Sequence, residues 1–224
     1  GVTVINGVSY QRLPIKTHLI TDKDNIVDVA KQYGSPVLSQ PGDVLFITEK
    51  IVACTQGRAI PLKDIKPRKL AYFLSNYVTK TPHGIGLGMP ETMAMALQEV
   101  GAPRILFAAA VSVIGKKIFK KKGWFYDVAG YKARSIDGPC HNTIPPYNHY
   151  VVLGPENPDK VARECAEKLG YRVIVVDIND LEGQILGTSD PSMDRDLYVK
   201  ILKDNPLGQD NQQTPMGVIR TVKE

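Results

Sequence analysis

Cysteine is scarce in this sequence. Cys54, Cys140 and Cys165 make up the three, widely spaced and without a Cys-x-x-Cys pair. So scattered a set indicates neither a disulfide framework nor a structural zinc site, and it fits a reducing cytoplasmic setting. Long apolar runs are also missing. The longest largely apolar stretch, Ile105 to Ile114, falls well short of the roughly 20 residues that a membrane span needs. No charged-then-apolar leader opens the chain, so neither secretion nor a membrane partner is expected. His18, His83, His141 and His149 form no metal-binding pattern, and of these only His141, beside Cys140, invites a site role. Repeats and low-complexity tracts are absent. The net charge of +5 gives modest attraction to polyanions but does not require nucleic acid, and no nucleic-acid partner is expected.

What remains is an ordinary globular chain. Its 224 residues, 43% hydrophobic and 23% charged, suffice for one large domain or two lobes. Residues 7–18 alternate loosely around Pro14, as an edge strand or extended segment would. A helix is expected over 22–33, capped by Asp22 or Asp24, and a buried strand over Val44 to Thr48. Ile51 to Thr55 reads as more apolar strand, with the polar Glu49 and Lys50 at the end of one strand or between two. Helices are expected over 65–77 and 90–100. Gly84, Gly86 and Gly88 before the second could admit an anion or simply start the helix. Lys116, Lys117, Lys120, Lys121 and Lys122 suggest a solvated edge or hairpin, with polyanion contact through Phe119 and Trp124 as the alternative. Residues 127–149, rich in proline and glycine, read as a long ordered loop in which Tyr147 and Asn148 either line a pocket or order the chain.

The stretch from Tyr171 to Gly183 carries the most chemistry. Val173 to Val176 are consecutive β-branched residues suited to a strand buried on both faces, and an amphipathic helix over 158–169, closed by Gly170, feeds into it. Asp177, Asn179, Asp180 and Glu182 crowd the strand's carboxyl end, where ligands of open α/β sheets lie. Such crowding of acids needs a cation or a solvated turn to offset it. Another helix over 194–202 and a strand over 214–220 complete the chain.

Three stretches, Pro41 to Arg58, the Asp177 strand end, and Gly208-Gln209 leading to Thr214 through Arg220, resemble in order and spacing the coenzyme F-420 γ-glutamyl ligase family. Leu13 to Lys16 add to the likeness, which covers nearly the whole chain. The resemblance implies a single ligase-like domain over 1–224, an α+β fold of mixed sheets with flanking helices, and a homodimer. It further implies a GTP- or ATP-driven ligase, dependent on magnesium or manganese, that joins a small-molecule carboxylate to an amine such as L-glutamate through an acyl phosphate. By the same resemblance, Leu13, Pro14, Ile15, Lys16, Glu49, Lys50, Gly208 and Gln209 fall at nucleotide positions, and Asp137, Asp177, Asn179 and Asp180 at metal positions. Cys54 stands where the family has lysine, and Ile178 where it commonly has threonine. Those departures keep open a second reading, a non-catalytic nucleotide or metabolite binder on the same scaffold.

Overall fold

A computed structural model describes residues 1–78, 86–139, 144–179, 183–208 and 213–223. In chain order the strands are β1 (Val2–Ile5), β2 (Val8–Ile15), β3 (Val44–Thr48), β4 (Ala59–Pro61), β5 (Tyr150–Val152), β6 (Arg172–Ile178), β7 (Gly183–Thr188) and β8 (Met216–Val222). The helices are α1 (Ile26–Gly34), α2 (Glu49–Thr55), α3 (Lys69–Ser75), α4 (Pro90–Val100), α5 (Ala102–Lys117), α6 (Trp124–Ala129), α7 (Tyr131–Arg134), α8 (Pro158–Leu169) and α9 (Arg195–Ile201). The chain divides into two compact units, Gly1–Gly57 with Pro155–Glu224, and Arg58–Gly154. The second unit is thus an insertion between α2 and α8. This is the α+β class that the sequence predicts.

The first unit is built on a six-stranded sheet ordered β1-β2-β8-β3-β6-β7, in which only β3 and β6 run parallel. Side chains alternate across it. Leu45, Ile47, Val173, Val175, Met216 and Val218 pack on one face with buried residues of α1, α2 and α8. Val44, Phe46, Ile174, Val176 and Ile219 pack on the other with Tyr198 and Ile201 of α9. Apolar residues covered on both faces explain why β3 and β6 read as unbroken apolar runs rather than alternating ones.

Several local expectations change. β2 is not an edge strand, since β1 pairs on one side and β8 on the other, but β1 reaches only from Val8 to Gln11. Pro14 lies beyond that reach, so the residue without a donor falls where β2 has a neighbour on one side only. The first helix starts at Ile26 under Asn25, whose side chain accepts from the Val27 and Asp28 amides at 3.0 and 3.2 Å. Asp24 instead accepts from the Thr21 amide at 2.8 Å and contacts His18 Nε2 at 2.9 Å. Asn25→Ala is therefore expected to destabilise the protein by about 1 kcal/mol in urea denaturation, while Asp22→Ala leaves helix capping unchanged.

Ile51 to Cys54 form a helix rather than a strand. All four are buried, and an apolar run without a polar face carries no period to distinguish the two states. The same ambiguity hid α5, whose 16 residues absorb both Ile105–Ile114 and the first two lysines of the basic run. The expected loop from 127 contains the end of α6 and all of α7. The helix expected over 65–77 is confined to α3, with Pro67 ahead of its first turn. α4 and α8 begin at Pro90 and Pro158 as expected.

α8 is seated directly on β7. A Cβ at Gly187 would collide with the Pro158 carbonyl group and the Asp159 nitrogen, and Asp159 Oδ1 accepts from the Thr188 amide at 2.9 Å and Arg195 Nη2 at 3.1 Å. At the sheet end where β3 begins, Asp43 accepts from Arg220 Nε and Nη2 at 3.0 and 2.8 Å. In the second unit β4 and β5 pair antiparallel beside a helical core that includes Leu74, Leu87, Met93 and Ile105. There Arg58 forms an ion pair with Glu99 and donates from Nε to the Gly154 carbonyl.

Candidate functional site

Strand direction decides which residues meet. β2 is antiparallel to β8, β8 is antiparallel to β3, and β3 is parallel to β6. β2, β3 and β6 therefore end at one edge of the sheet, where β8 begins. In register, Ile15 pairs with Met216, Met216 with Ile47, and Ile47 with Val175. Two residues beyond that row, Thr17, Thr214, Glu49 and Asp177 follow one another across the edge. Glu49 opens α2 directly after β3, and Asp177 is the next-to-last residue of β6, so both stand where two adjacent parallel strands end.

Backbone bonds stitch this edge together. The Thr17 amide donates to the Gln213 carbonyl at 2.9 Å, and Gln213 Nε2 donates back to the Thr17 carbonyl at 3.1 Å. The Thr48 amide donates to the Pro215 carbonyl at 3.0 Å. Thr214 Oγ1 donates to the Leu207 carbonyl at 2.7 Å, drawing the turn that holds Gly208 onto the start of β8. Neither Thr17 nor Gln213 carries a signal in the sequence. Their role is main-chain positioning, which depends on β8 lying between β2 and β3.

The structure thus brings together Lys16, Glu49, Lys50, Gly208, Asp177 and Asn179 on one edge of the first unit. Lys16 and Gly208 are exposed, Lys50, Asp177 and Asn179 are half-buried, and Glu49 is buried. Leu13 and Ile15 direct their side chains into the core, whereas Pro14 is exposed. Asp137 belongs to the second unit, where it exchanges backbone bonds with Val152 at 2.8 and 2.9 Å. Asp180 and Gln209 lie outside the described residues, as do Glu182, Cys140, His141 and His83. Cys54 is buried within α2, and Ile178 packs against the core on the α9 side of the sheet.

Among the described residues no three His, Cys, Asp or Glu side chains gather closely enough to form a metal site. Asp177 supplies a carboxylate and Asn179 an amide oxygen, both hard ligands. Such a set fits magnesium or manganese held jointly with phosphate oxygens, because magnesium commonly takes one or two protein carboxylates and completes its shell from substrate. Next to this edge, His18 contacts the Tyr33 hydroxyl through Nδ1 at 2.5 Å and Asp24 through Nε2. The Thr21 amide holds the Asp24 carboxyl below its usual range, against the opposing effect of burial and with His18 assisting.

Acids and lysines thus follow the carboxyl ends of β2, β3 and β6, three strands of one α+β sheet that run in the same direction. The chain matches the family described as F420-0:Gamma-glutamyl ligase over residues 14–193, and it belongs to that family. Coenzyme F420:L-glutamate ligase of Methanopyrus kandleri is 26% identical to it over 228 residues, covering 88% of this chain and 81% of the relative.

Proposed function

We propose that this protein is a γ-glutamyl ligase-like enzyme, driven by GTP or ATP and dependent on magnesium or manganese, that adds L-glutamate or a similar amine to a small-molecule carboxylate. The observation that carries the reading is the meeting of the family-like stretches at one sheet edge, with Lys16, Lys50, Glu49 and Asp177 among them. In this reading Asp177 and Asn179 would hold the divalent ion, with Asp180 as a further ligand to test. Leu13 to Lys16, Glu49, Lys50, Gly208 and Gln209 frame the nucleotide. When bound, the ion would offset phosphate negative charge. Lys16 and Lys50 offset the remaining negative charge as the acceptor carboxylate oxygen attacks the γ-phosphorus and nucleoside diphosphate leaves. The glutamate nitrogen then attacks the acyl carbon, phosphate departs, and the nitrogen loses its proton to leave an amide. A homodimer in the cytoplasm belongs to the same reading.

Calorimetry with GTP, ATP and manganese tests it. Saturable, metal-dependent nucleotide binding is expected, weakened about tenfold or more by Asp177→Ala. Unchanged affinity in that variant would remove Asp177 from the site. Nucleotide binding without phosphate release across a panel of carboxylic acids and amines would favour the non-catalytic binder, for which the buried Cys54 at a family lysine position speaks.

A further inference from the structure

α5 is apolar on both sides. Its inward face buries Ile105 and Ala108 in the core of the second unit. Its outward face leaves Phe107 62%, Ile114 47% and, one residue past its end, Ile118 68% exposed. With Ala110 these recur at intervals of three and four residues, so they form one stripe rather than scattered surface residues. Phe119 follows, 56% exposed and 5.4 Å from the Trp124 ring. The α3 end extends the patch, since Lys116 Nζ donates to the Tyr77 carbonyl at 3.2 Å and the Phe73 and Tyr77 rings lie 5.1 Å apart. A helix apolar all round is ordinarily covered on every side.

Charge identifies the cover. From Gly101 to Tyr126 there is no Asp or Glu, while five lysines follow the apolar stripe at its carboxyl end. Lys117, Lys120, Lys121 and Lys122 are exposed. A second copy of the chain laid on this face would meet the apolar stripe but bring no carboxylate from this stretch to the lysines. A nucleic acid would satisfy the lysines and leave Phe107, Ile114 and Ile118 in water. A bilayer rich in anionic lipid satisfies both, taking the apolar side chains at the acyl boundary and the lysines at the headgroups. Crossing is a separate matter. Among the described residues no single helix is long and apolar enough to cross a membrane, and α5 at about 24 Å falls short of a hydrocarbon core of about 30 Å.

We propose that the α5 face and the lysine-rich segment after it form a peripheral docking surface for an anionic membrane. The whole protein would be sedimented with phosphatidylcholine vesicles with and without phosphatidylserine. Binding only to the phosphatidylserine vesicles, weakened by added salt, is expected. Joint Lys120→Gln, Lys121→Gln and Lys122→Gln substitution should weaken it about tenfold or more. Phe107→Glu with Ile118→Glu should abolish it while far-UV circular dichroism and the melting temperature stay unchanged, because both side chains are exposed. Failure to bind phosphatidylserine vesicles, or equal binding by both variants, would overturn the proposal. So would a dimer in light scattering that Ile114→Glu converts to monomer, since a second copy would then cover the face.

Discussion

Asp43→Ala is expected to lower the unfolding free energy by about 3–5 kcal/mol, the range for removing one partner of a buried, hydrogen-bonded ion pair. The Asp43 side chain is 1% exposed and that of Arg220 16%. Its carboxylate accepts from two Arg220 nitrogens and from the Ser39 and Gln40 amides at 3.1 and 3.0 Å. Alanine leaves those donors without that acceptor and strands the guanidinium, which keeps only the Val37 carbonyl and Ser39 Oγ. The pH dependence follows from the same contacts. Burial pushes the Asp43 carboxyl up, but the Arg220 hydrogen bond and the two amides outweigh it and hold it below the usual range. A folded-state value below the unfolded one, about 3.9, makes the stabilisation complete above about pH 4 and removes it as pH falls through the folded-state value. Urea denaturation from neutral pH downward should therefore show a shallower acid loss for Asp43→Asn than for the wild type. Parallel acid slopes would exclude this pair as a source of pH-dependent stability.

Gly187→Val is expected to destabilise the fold by at least about 3 kcal/mol, at or beyond the upper end of usual overpacking penalties. The atoms a side chain would meet are main-chain atoms of Pro158 and Asp159, which cannot rotate away. Relief requires moving the start of α8 off β7, which also breaks the Asp159 bonds to Thr188 and Arg195. Gly183, on the same strand, supplies the control. Among the described residues a Cβ there meets nothing nearer than the Asp177 carbonyl oxygen at 3.9 Å, so Gly183→Ala should change stability by no more than about 0.5 kcal/mol. A melting temperature for Gly187→Val equal to that of Gly183→Ala would show that α8 is not seated where the structure places it.

The best-read part of the sequence was residues 158–178. An amphipathic helix, a closing glycine and a β-branched run each carry a local signal, and all three agree. α2 and α5 were obscured because burial or exposure of apolar residues on all sides erases the period. β7 was missed because Gly183-Gln-Ile-Leu-Gly-Thr188 combines two glycines with one β-branched aliphatic residue, a weak strand signal. The candidate edge was legible as an order of motifs, but its assembly depends on strand pairings between distant segments. Asp43 and Arg220 show the limit. Both lie in stretches that carry the family likeness, yet they meet across 177 positions to brace the end of the sheet away from the proposed site.

The strand order also sets a timetable on the ribosome. β3 has β6 and β8 as its neighbours, and both emerge after the whole of Arg58–Gly154 has been made. The second unit is continuous in sequence and can fold as soon as it is released, whereas the nascent Val44–Thr48 segment waits with both edges bare. β2 and β3 are joined only when β8 arrives between them. The sheet edge that gathers Lys16, Lys50 and Asp177 is therefore among the last features of the described chain to exist, and a ribosome stalled before Met216 would hold a sheet still lacking the strand that joins β2 to β3.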